Sequence, residues 1–408
     1  MNVLLVTDCY PPEIRSISFM MRELAEGLVS RGHNVAVITA MPRYNLTEGV
    51  RQDEFEGLSF ERGVKVVRVN TLPIHKVGFV VRGLAHLVLP YLFFGKSLQH
   101  IRDRVDTVLV YSPPLTLSLV GTWTKKYYGA RYILNVQDIF PQNAIDLRIM
   151  RSKTLIRIFE WMESMAYRNA SRVTAHSERN MDFLVTRKGI SPEKISVVHN
   201  WIDLAPYINV KNTGESRKKY GLTGKFVFIF PGILGPSQGL ELVIETAREV
   251  KENPEICFLF LGDGSEKERL QKMAAEYELA NVVFEGFVSK EECIALMKES
   301  DVGLACLSSK NKTPVYPGKI LAFMACSLPV AAFLHAESDG HRFISDAECG
   351  YSIVSNDPRS AVKLIRKIYS EKHRLSEYGR NGLRYVTANF AKDVCIDKLC
   401  SLMSRNIF

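Results

Sequence analysis

Phe230-Pro-Gly-Ile-Leu-Gly-Pro-Ser-Gln-Gly-Leu-Glu-Leu-Val-Ile-Glu245 decides the fold of this chain. An apolar run ending at Phe230 enters a turn with glycines at 232, 235 and 239 and leaves it as an amphipathic helix. Gly232, Gly235 and Gly239 permit positive φ and close approach of a ligand, and the unpaired N–H groups that open a helix favour an anion. With Lys319 further along the chain, the turn reads as the diphosphate cradle of a nucleotide-binding domain. The spacing is neither Gly-x-Gly-x-x-Gly nor the Walker pattern, so an ordinary strand-turn-helix stays open as a reading of these residues alone.

Working outward, short apolar strands alternate with helical periodicity on both sides of this stretch. Before it they fall at 3–6, 35–39, 64–69, 107–111, 131–136, 172–176 and 195–199; around and after it they fall at 226–230, 256–261, 281–285, 302–306 and 329–333. Between the first two, Met20, Leu24 and Leu28 with Met21, Ala25 and Val29 form a helical stripe that stops at Arg31-Gly32. Strands separated by helices predict parallel sheets covered on both faces. The expectation is therefore α/β, with two tandem Rossmann-like domains and ligands in a shared interdomain cleft at the carboxyl ends of the strands. The domains are expected at 1–200 and 201–385, with a C-terminal helix in 386–408 packing back on the first.

Composition narrows the partners. The 408 residues carry a net charge of +9, with 26 Lys/Arg against 18 Asp/Glu through residue 200 and 27 against 26 beyond it. The excess lies in the first half, yet no nucleic-acid reader motif accompanies it. Instead Val77-Gly-Phe-Val-Val-Arg-Gly-Leu-Ala-His-Leu-Val-Leu-Pro-Tyr-Leu-Phe-Phe-Gly-Lys96 is apolar but interrupted by Arg82, His86 and Pro90. That pattern suits a helix pair lying in an anionic membrane surface better than a spanning helix; a buried core helix is the other reading. The start is a strand without a basic leader, and the eight scattered cysteines form no Cys-x-x-Cys pair. A cytoplasmic location, peripheral to the inner face of the plasma membrane, and reduced thiols follow as expectations, with no metal site and no cofactor.

Four clusters fall at strand ends. Tyr10-Pro-Pro-Glu13-Ile-Arg15-Ser16 follows the first strand, and Arg15 can meet a phosphate bidentately. Asp138, in Val136-Gln-Asp-Ile-Phe-Pro141, can bond a sugar hydroxyl or accept a proton. Phe260-Leu-Gly-Asp-Gly264 and Glu285-Gly-Phe-Val288 suit close approach of a base or ribose, and tight turns alone also explain them. Lys319, after Thr313-Pro-Val-Tyr-Pro-Gly318, stands at a helix start, where a cation is disfavoured unless an anion compensates it.

Taken in order, Tyr10-Pro-Pro-Glu13, Arg31-Gly-His-Asn-Val35, Met41-Pro-Arg-Tyr-Asn45, Ser112-Pro-Pro-Leu115, Gln137-Asp-Ile-Phe-Pro-Gln142, His199-Asn-Trp-Ile-Asp203, Ser237-Gln-Gly-Leu240, Gly262-Asp-Gly264, Pro317-Gly-Lys-Ile320 and Leu328-Pro-Val330 resemble the retaining GT-B glycosyltransferases of family 4, over nearly the whole chain. Within that family the resemblance is to bacterial O-antigen, capsule, colanic acid and fucosamine transferases. It implies a metal-independent transfer of a hexosyl or N-acetylhexosaminyl group from a nucleotide sugar, UDP first among them, to a polyprenyl-diphosphate-linked saccharide. The donor would be held by Gly232, Gly235, Gln238, Gly239, Gly262, Phe287, Val288, Tyr316 and Lys319. Asp138 and Glu13 would be catalytic, and Arg15 and Ser16 would lie on the acceptor side.

The sequence departs from the family where its Glu-x7-Glu pair would fall, at Pro314 and Ala322, and where its Gly-Gly would fall, at Arg15-Ser16. The Arg and Lys that touch donor phosphates would fall near Ile233 and Gln238. A non-catalytic relative in a polysaccharide assembly and a nucleotide-sugar 2-epimerase are the alternatives.

Overall fold

The computed structural model describes residues 1–43, 46, 55–73, 79–146, 150–310 and 317–404. It divides into two compact units, Met1–Trp201 with Lys392–Phe408, and Ile202–Ala391.

The first unit is built on eight strands: β1 (Asn2–Val6), β2 (Asn34–Ala40), β3 (Leu58–Glu61), β4 (Val64–Val69), β5 (Thr107–Ser112), β6 (Arg131–Val136), β7 (Arg172–Ala175) and β8 (Ile195–Val197). Their order is β3-β4-β2-β1-β5-β6-β7-β8. Every neighbour is parallel except β3 with β4. Both faces are buried, as an almost wholly parallel sheet requires. Leu4 and Val6 pack with Leu89 and Phe93 on one face, and Val3 and Leu5 with Leu24 and Leu28 on the other.

The second face is completed by the far end of the chain. The helix Lys392–Ser404 contributes Ile396 and Leu399 to the cluster around Val3 and Leu5. Gly27 lets it come close, because a Cβ there would stand 2.5 Å from Ile396 Cδ1. Arg31 fixes the approach through Asp397 at 2.6 Å and Asp393 at 3.2 Å. The expected boundary at 385/386 falls inside the helix Leu375–Asn389, which stays with the second unit; the chain passes to the first at Lys392.

The segment expected as a helix pair is one helix, Phe79–His100, running through Pro90. Proline removes one backbone bond, and the packing of the buried side holds the helix together across that gap. Ala85, Leu89, Phe93 and Ser97, spaced by four, form that side, while Leu84, Leu87 and Tyr91 are exposed. Neither a fully buried helix nor a pair on a surface describes it. Among the described residues no helix is long and apolar enough to cross a membrane.

The second unit has six parallel strands: β9 (Phe226–Pro231), β10 (Ile256–Leu261), β11 (Val282–Glu285), β12 (Val302–Cys306), β13 (Val330–Leu334) and β14 (Gly350–Val354), ordered β11-β10-β9-β12-β13-β14. Val227 and Ile229 face the cluster with Ile320, Phe323 and Met324; Phe228 and Phe230 face Val243, Ile244 and Ile365. Gly303 on β12 has no room for a side chain, since a Cβ would lie 2.4 Å from the Phe323 ring. That contact seats the short helix Lys319–Ala325 directly on the sheet and so fixes where Lys319 begins.

Candidate active site

The carboxyl end of the second sheet is built from glycines that interlock. Gly232 has φ 122°, Gly239 62°, Gly262 143° and Gly264 156°. A Cβ on Gly262 would lie 2.1 Å from the Gly232 carbonyl oxygen, and one on Gly264 would lie 2.3 Å from that of Leu234. The Leu234 N–H donates to the Asp263 carbonyl at 2.8 Å, and the Ser308 N–H donates to that of Ser237 at 2.8 Å. The turn after β9 is thereby clamped between the turns after β10 and β12. Its shape is set by backbone rather than by side chains.

Lys319 enters this turn. A Cβ at Gly232 would meet its Cε at 3.1 Å and Nζ at 3.3 Å, so the glycine makes the lysine's path possible. Nζ sits 4.7 Å from the centroid of the Phe230 ring, on the apolar side of the turn. Among the described residues no carboxylate is paired with it, and burial pushes its pKa down. A desolvated ammonium facing glycine backbone is a site for an anion.

Gln238 closes the 3-10 turn Pro236–Gln238, and its Nε2 donates to Ser237 Oγ at 3.3 Å. Phe287 is 71% exposed beside Gly286, and Ile233 is 66% exposed within the glycine turn, whereas Val288 packs into the core. An exposed ring after β11 is a surface on which a base can stack. Tyr316 and Pro314 lie outside the described residues.

One expectation for this turn changes. The helix Glu241–Glu249 opens with an acid, Glu241, and a 3-10 turn, Pro236–Gln238, precedes it. An acidic first turn repels an anion, so the counter-charge comes from Lys319. Lys267, which the sequence reading passed over, donates to the carbonyls of Gly262 at 3.2 Å and Glu285 at 3.4 Å and ties these turns together. A cavity of about 540 Å³ lies at the opposite, amino end of this sheet. Its cations are already engaged, Arg217 by Asp301, Lys225 by the Pro254 carbonyl, Lys298 by that of Val210 and Lys372 by the face of the Tyr369 ring.

The carboxyl end of the first sheet is different in kind: it is lined by side chains. Asp138 follows β6 and is exposed, yet the protein crowding it raises its carboxyl pKa by desolvation. Tyr111 on β5 is half-buried; burial raises its phenol, and Asp138 and then Asp8 raise it further. Gln137 donates to Asn135 Oδ1 at 2.7 Å and accepts from Asn200 at 2.7 Å. His176, just after β7, is buried and its pKa is pushed down to about 4 by desolvation.

Glu13 and Arg15 are both engaged within the first unit. Glu13 is buried, and its Oε1 accepts the Arg43 N–H at 2.9 Å, so it ties two loops together. Arg15 is paired with Asp8 at 3.1 Å, which occupies part of its fork. Ser16 is exposed at the start of the helix Ser16–Ser30. Among the described residues no group of three or more His, Cys, Asp or Glu side chains could hold a metal ion, and the eight cysteines are free thiols.

Two α/β sheets, one ending in a glycine turn with a desolvated lysine and the other in carboxylates, define a two-domain protein of the Rossmann-like α/β class. Comparison with known proteins gives the family. Residues 17–201 match the glycosyl transferase 4-like domain, and residues 212–384 match glycosyl transferases group 1. The chain is therefore a glycosyltransferase of GT-B fold. It is 27% identical over 333 residues to the putative colanic acid biosynthesis glycosyl transferase WcaI of Escherichia coli K12, covering 80% of this chain and 81% of that one. Over 119 residues it is 28% identical to an Escherichia coli UDP-Gal:α-D-GlcNAc-diphosphoundecaprenol α-1,3-galactosyltransferase, covering 28% of this chain and 31% of that enzyme. Its fold matches Anabaena HepE in complex with UDP at a TM-score of 0.73 and 16% identity, across 99% of this chain and all of that one.

Proposed function

We propose that this chain transfers a hexosyl or N-acetylhexosaminyl group, with retention and without a metal, from a UDP-sugar to a polyprenyl-diphosphate-linked saccharide in surface polysaccharide biosynthesis. The observation that carries the reading is Lys319, an ammonium without a carboxylate partner among the described residues, facing the Gly232 turn. In the reaction the bond from the anomeric carbon to the diphosphate breaks, a bond to the acceptor hydroxyl forms, and the hydroxyl proton leaves with UDP. Charge builds on the leaving diphosphate, where Lys319 and the turn's N–H groups offset it. Asp138 acts on the sugar side. The uridine in the HepE complex and the lipid-linked acceptor named for the galactosyltransferase support the choice of donor and acceptor classes.

The surface of the first unit supports a lipid acceptor. Beside the exposed Leu84, Leu87 and Tyr91, Trp123 lies 5.0 Å from the Tyr91 ring and 5.5 Å from Phe94. The helix Lys153–Asn169 adds exposed Leu155, Ile158 and Trp161. Arg82 and Lys96 are exposed on the helix Phe79–His100, Lys126 on the helix Ser118–Tyr128 that carries Trp123, and Lys153 and Arg157 on the helix Lys153–Asn169. Aromatic and aliphatic groups among cations are what an anionic bilayer surface takes up.

The test is transfer of radiolabelled sugar from a panel of UDP-sugars to lipid-linked saccharides in vesicles containing phosphatidylglycerol. Transfer that persists in a chelator supports the reading. Absence of transfer from every UDP-sugar sinks it.

A further inference from the structure

We infer that Lys267 is a positioning residue for the nucleobase: by holding the carboxyl end of β11 it sets where Phe287 stands against the base of a bound nucleotide. This rests on the donor reading above. β11 is the edge of its sheet, paired with β10 alone, and all four of its residues are half-exposed. A strand held from one side opens more easily than a central one. Two donors meet at its end: the Glu285 carbonyl accepts the Gly262 N–H at 3.1 Å and Lys267 Nζ at 3.4 Å. The same ammonium donates to the Gly262 carbonyl at 3.2 Å. Lys267 thereby bridges the place where β10 and β11 part. It is also the first residue of the helix Lys267–Glu276, where the helix dipole disfavours a cation and two carbonyl oxygens offset that cost. Hydrogen bonds from a charged donor are the stronger kind, so this bridge is a firm one.

The chain that leaves this point is short. Gly286 and Phe287 alone separate Glu285 from Val288, which packs on the core, and from Ser289, whose Oγ caps the helix Lys290–Glu299 by accepting the Glu292 N–H at 3.1 Å. Phe287 is 71% exposed, so its own packing does not fix it. Gly286 has no side chain to pack, and a Cβ there would meet nothing within 4 Å. The place of the ring is therefore inherited from its two flanks. Ser289 and Val288 fix the second, and Lys267 is the side chain that fixes the first. Lys319 serves the Gly232 turn separately, so losing Lys267 is felt at the base.

Lys267→Met, Phe287→Ala and the double variant test this, with UDP titrated into each by calorimetry. Lys267→Met should raise the Kd about 3- to 10-fold, and the double variant should be within about twofold of the weaker single variant, because both changes remove one contact. Donor KM should rise by the same factor in Lys267→Met with kcat within about twofold of wild type. Losses that multiply in the double variant overturn the inference, since Lys267 then acts on another part of the nucleotide. An unchanged Kd in Lys267→Met overturns it too. Lys267→Gln, shorter and uncharged, carries the same comparison if Lys267→Met does not fold. Amide exchange of the ligand-free protein reads the bridge itself. In Lys267→Met the Gly262 amide, which bonds the Glu285 carbonyl, should exchange about 5-fold faster or more while residues 232–239 keep the wild-type rate. Unchanged exchange at Gly262 overturns the inference. A wild type that binds no UDP overturns the donor reading and this inference together, whereas binding that ignores Lys267 overturns this inference alone.

Discussion

The two sheets end in opposite kinds of chemistry. After β9, β10 and β12 the second unit presents glycine backbone and one lysine; at the ends of β5 and β6 the first presents Tyr111 and Asp138. A diphosphate has the same shape in every nucleotide sugar, so backbone N–H groups and one charge suffice to hold it. A saccharide differs from others by the direction of single hydroxyls, and only side chains can read that. One fold used twice therefore separates a generic grip from a selective one, and the substitutions below ask whether the separation is real.

The largest effect is expected for Gly262→Ala. Its Cβ would stand 2.1 Å from the Gly232 carbonyl at a φ of 143°, so something in the clamp must move. A loss of about 2–4 kcal/mol in the second unit is expected, read as a fall in Tm with loss of nucleotide binding. Retained UDP affinity would show that the grip does not depend on this interlock.

Lys319→Ala comes next. Nucleotide affinity should fall about 100-fold or more while the ligand-free protein keeps its stability, since no carboxylate partner among the described residues is left behind. The pH dependence sharpens this. Burial places the folded pKa of Lys319 below its usual value, so the unfolded chain binds more protons between the two values and stability rises with pH across that window. Denaturant titrations should show that rise in wild type and a smaller one in Lys319→Ala.

Asp138→Asn should cut turnover by roughly 100-fold without changing UDP affinity, which would confine its action to the sugar side. Because crowding raises its carboxyl pKa, the acid limb of the wild-type rate profile should lie above the ordinary carboxylate range and vanish in the variant. Equal loss of UDP affinity would break the division between the units. Leu87→Glu with Tyr91→Glu should abolish sedimentation with anionic vesicles while changing stability by about 0.5 kcal/mol or less per site, because both side chains are exposed. The smallest effect is Phe287→Ala, with UDP binding weakened about 3- to 10-fold and Tm unchanged, since the ring has little packing to lose.

Most of the architecture could be read from the chain because buried parallel strands leave near-continuous apolar runs, as Phe226–Pro231 and Ile256–Leu261 do. Strands β3 and β14 left no such mark. Leu58–Glu61 pairs on one side only and turns into β4 through Arg62 and Gly63, both at positive φ, without the Asn-Gly that announces such hairpins. Gly350–Val354 is a half-exposed edge. In the site, glycines and Lys319 were legible because turn geometry and an isolated charge are local. Lys267 was not. What marks it is its pair of carbonyls from different turns. That is a fact of folding together, and no spacing in the sequence carries it.

The central claim is that Lys319 and the Gly232 turn hold a nucleoside diphosphate. Calorimetric titration of wild type and Lys319→Ala with UDP, GDP, ADP, TDP and CMP tests it most directly. The expected result is saturable binding of one diphosphate, UDP, that raises folding stability by about 2.7 kcal/mol at 100 times its Kd and is lost in the variant. Binding of equal strength in Lys319→Ala, or none by wild type to any of the five, would contradict it.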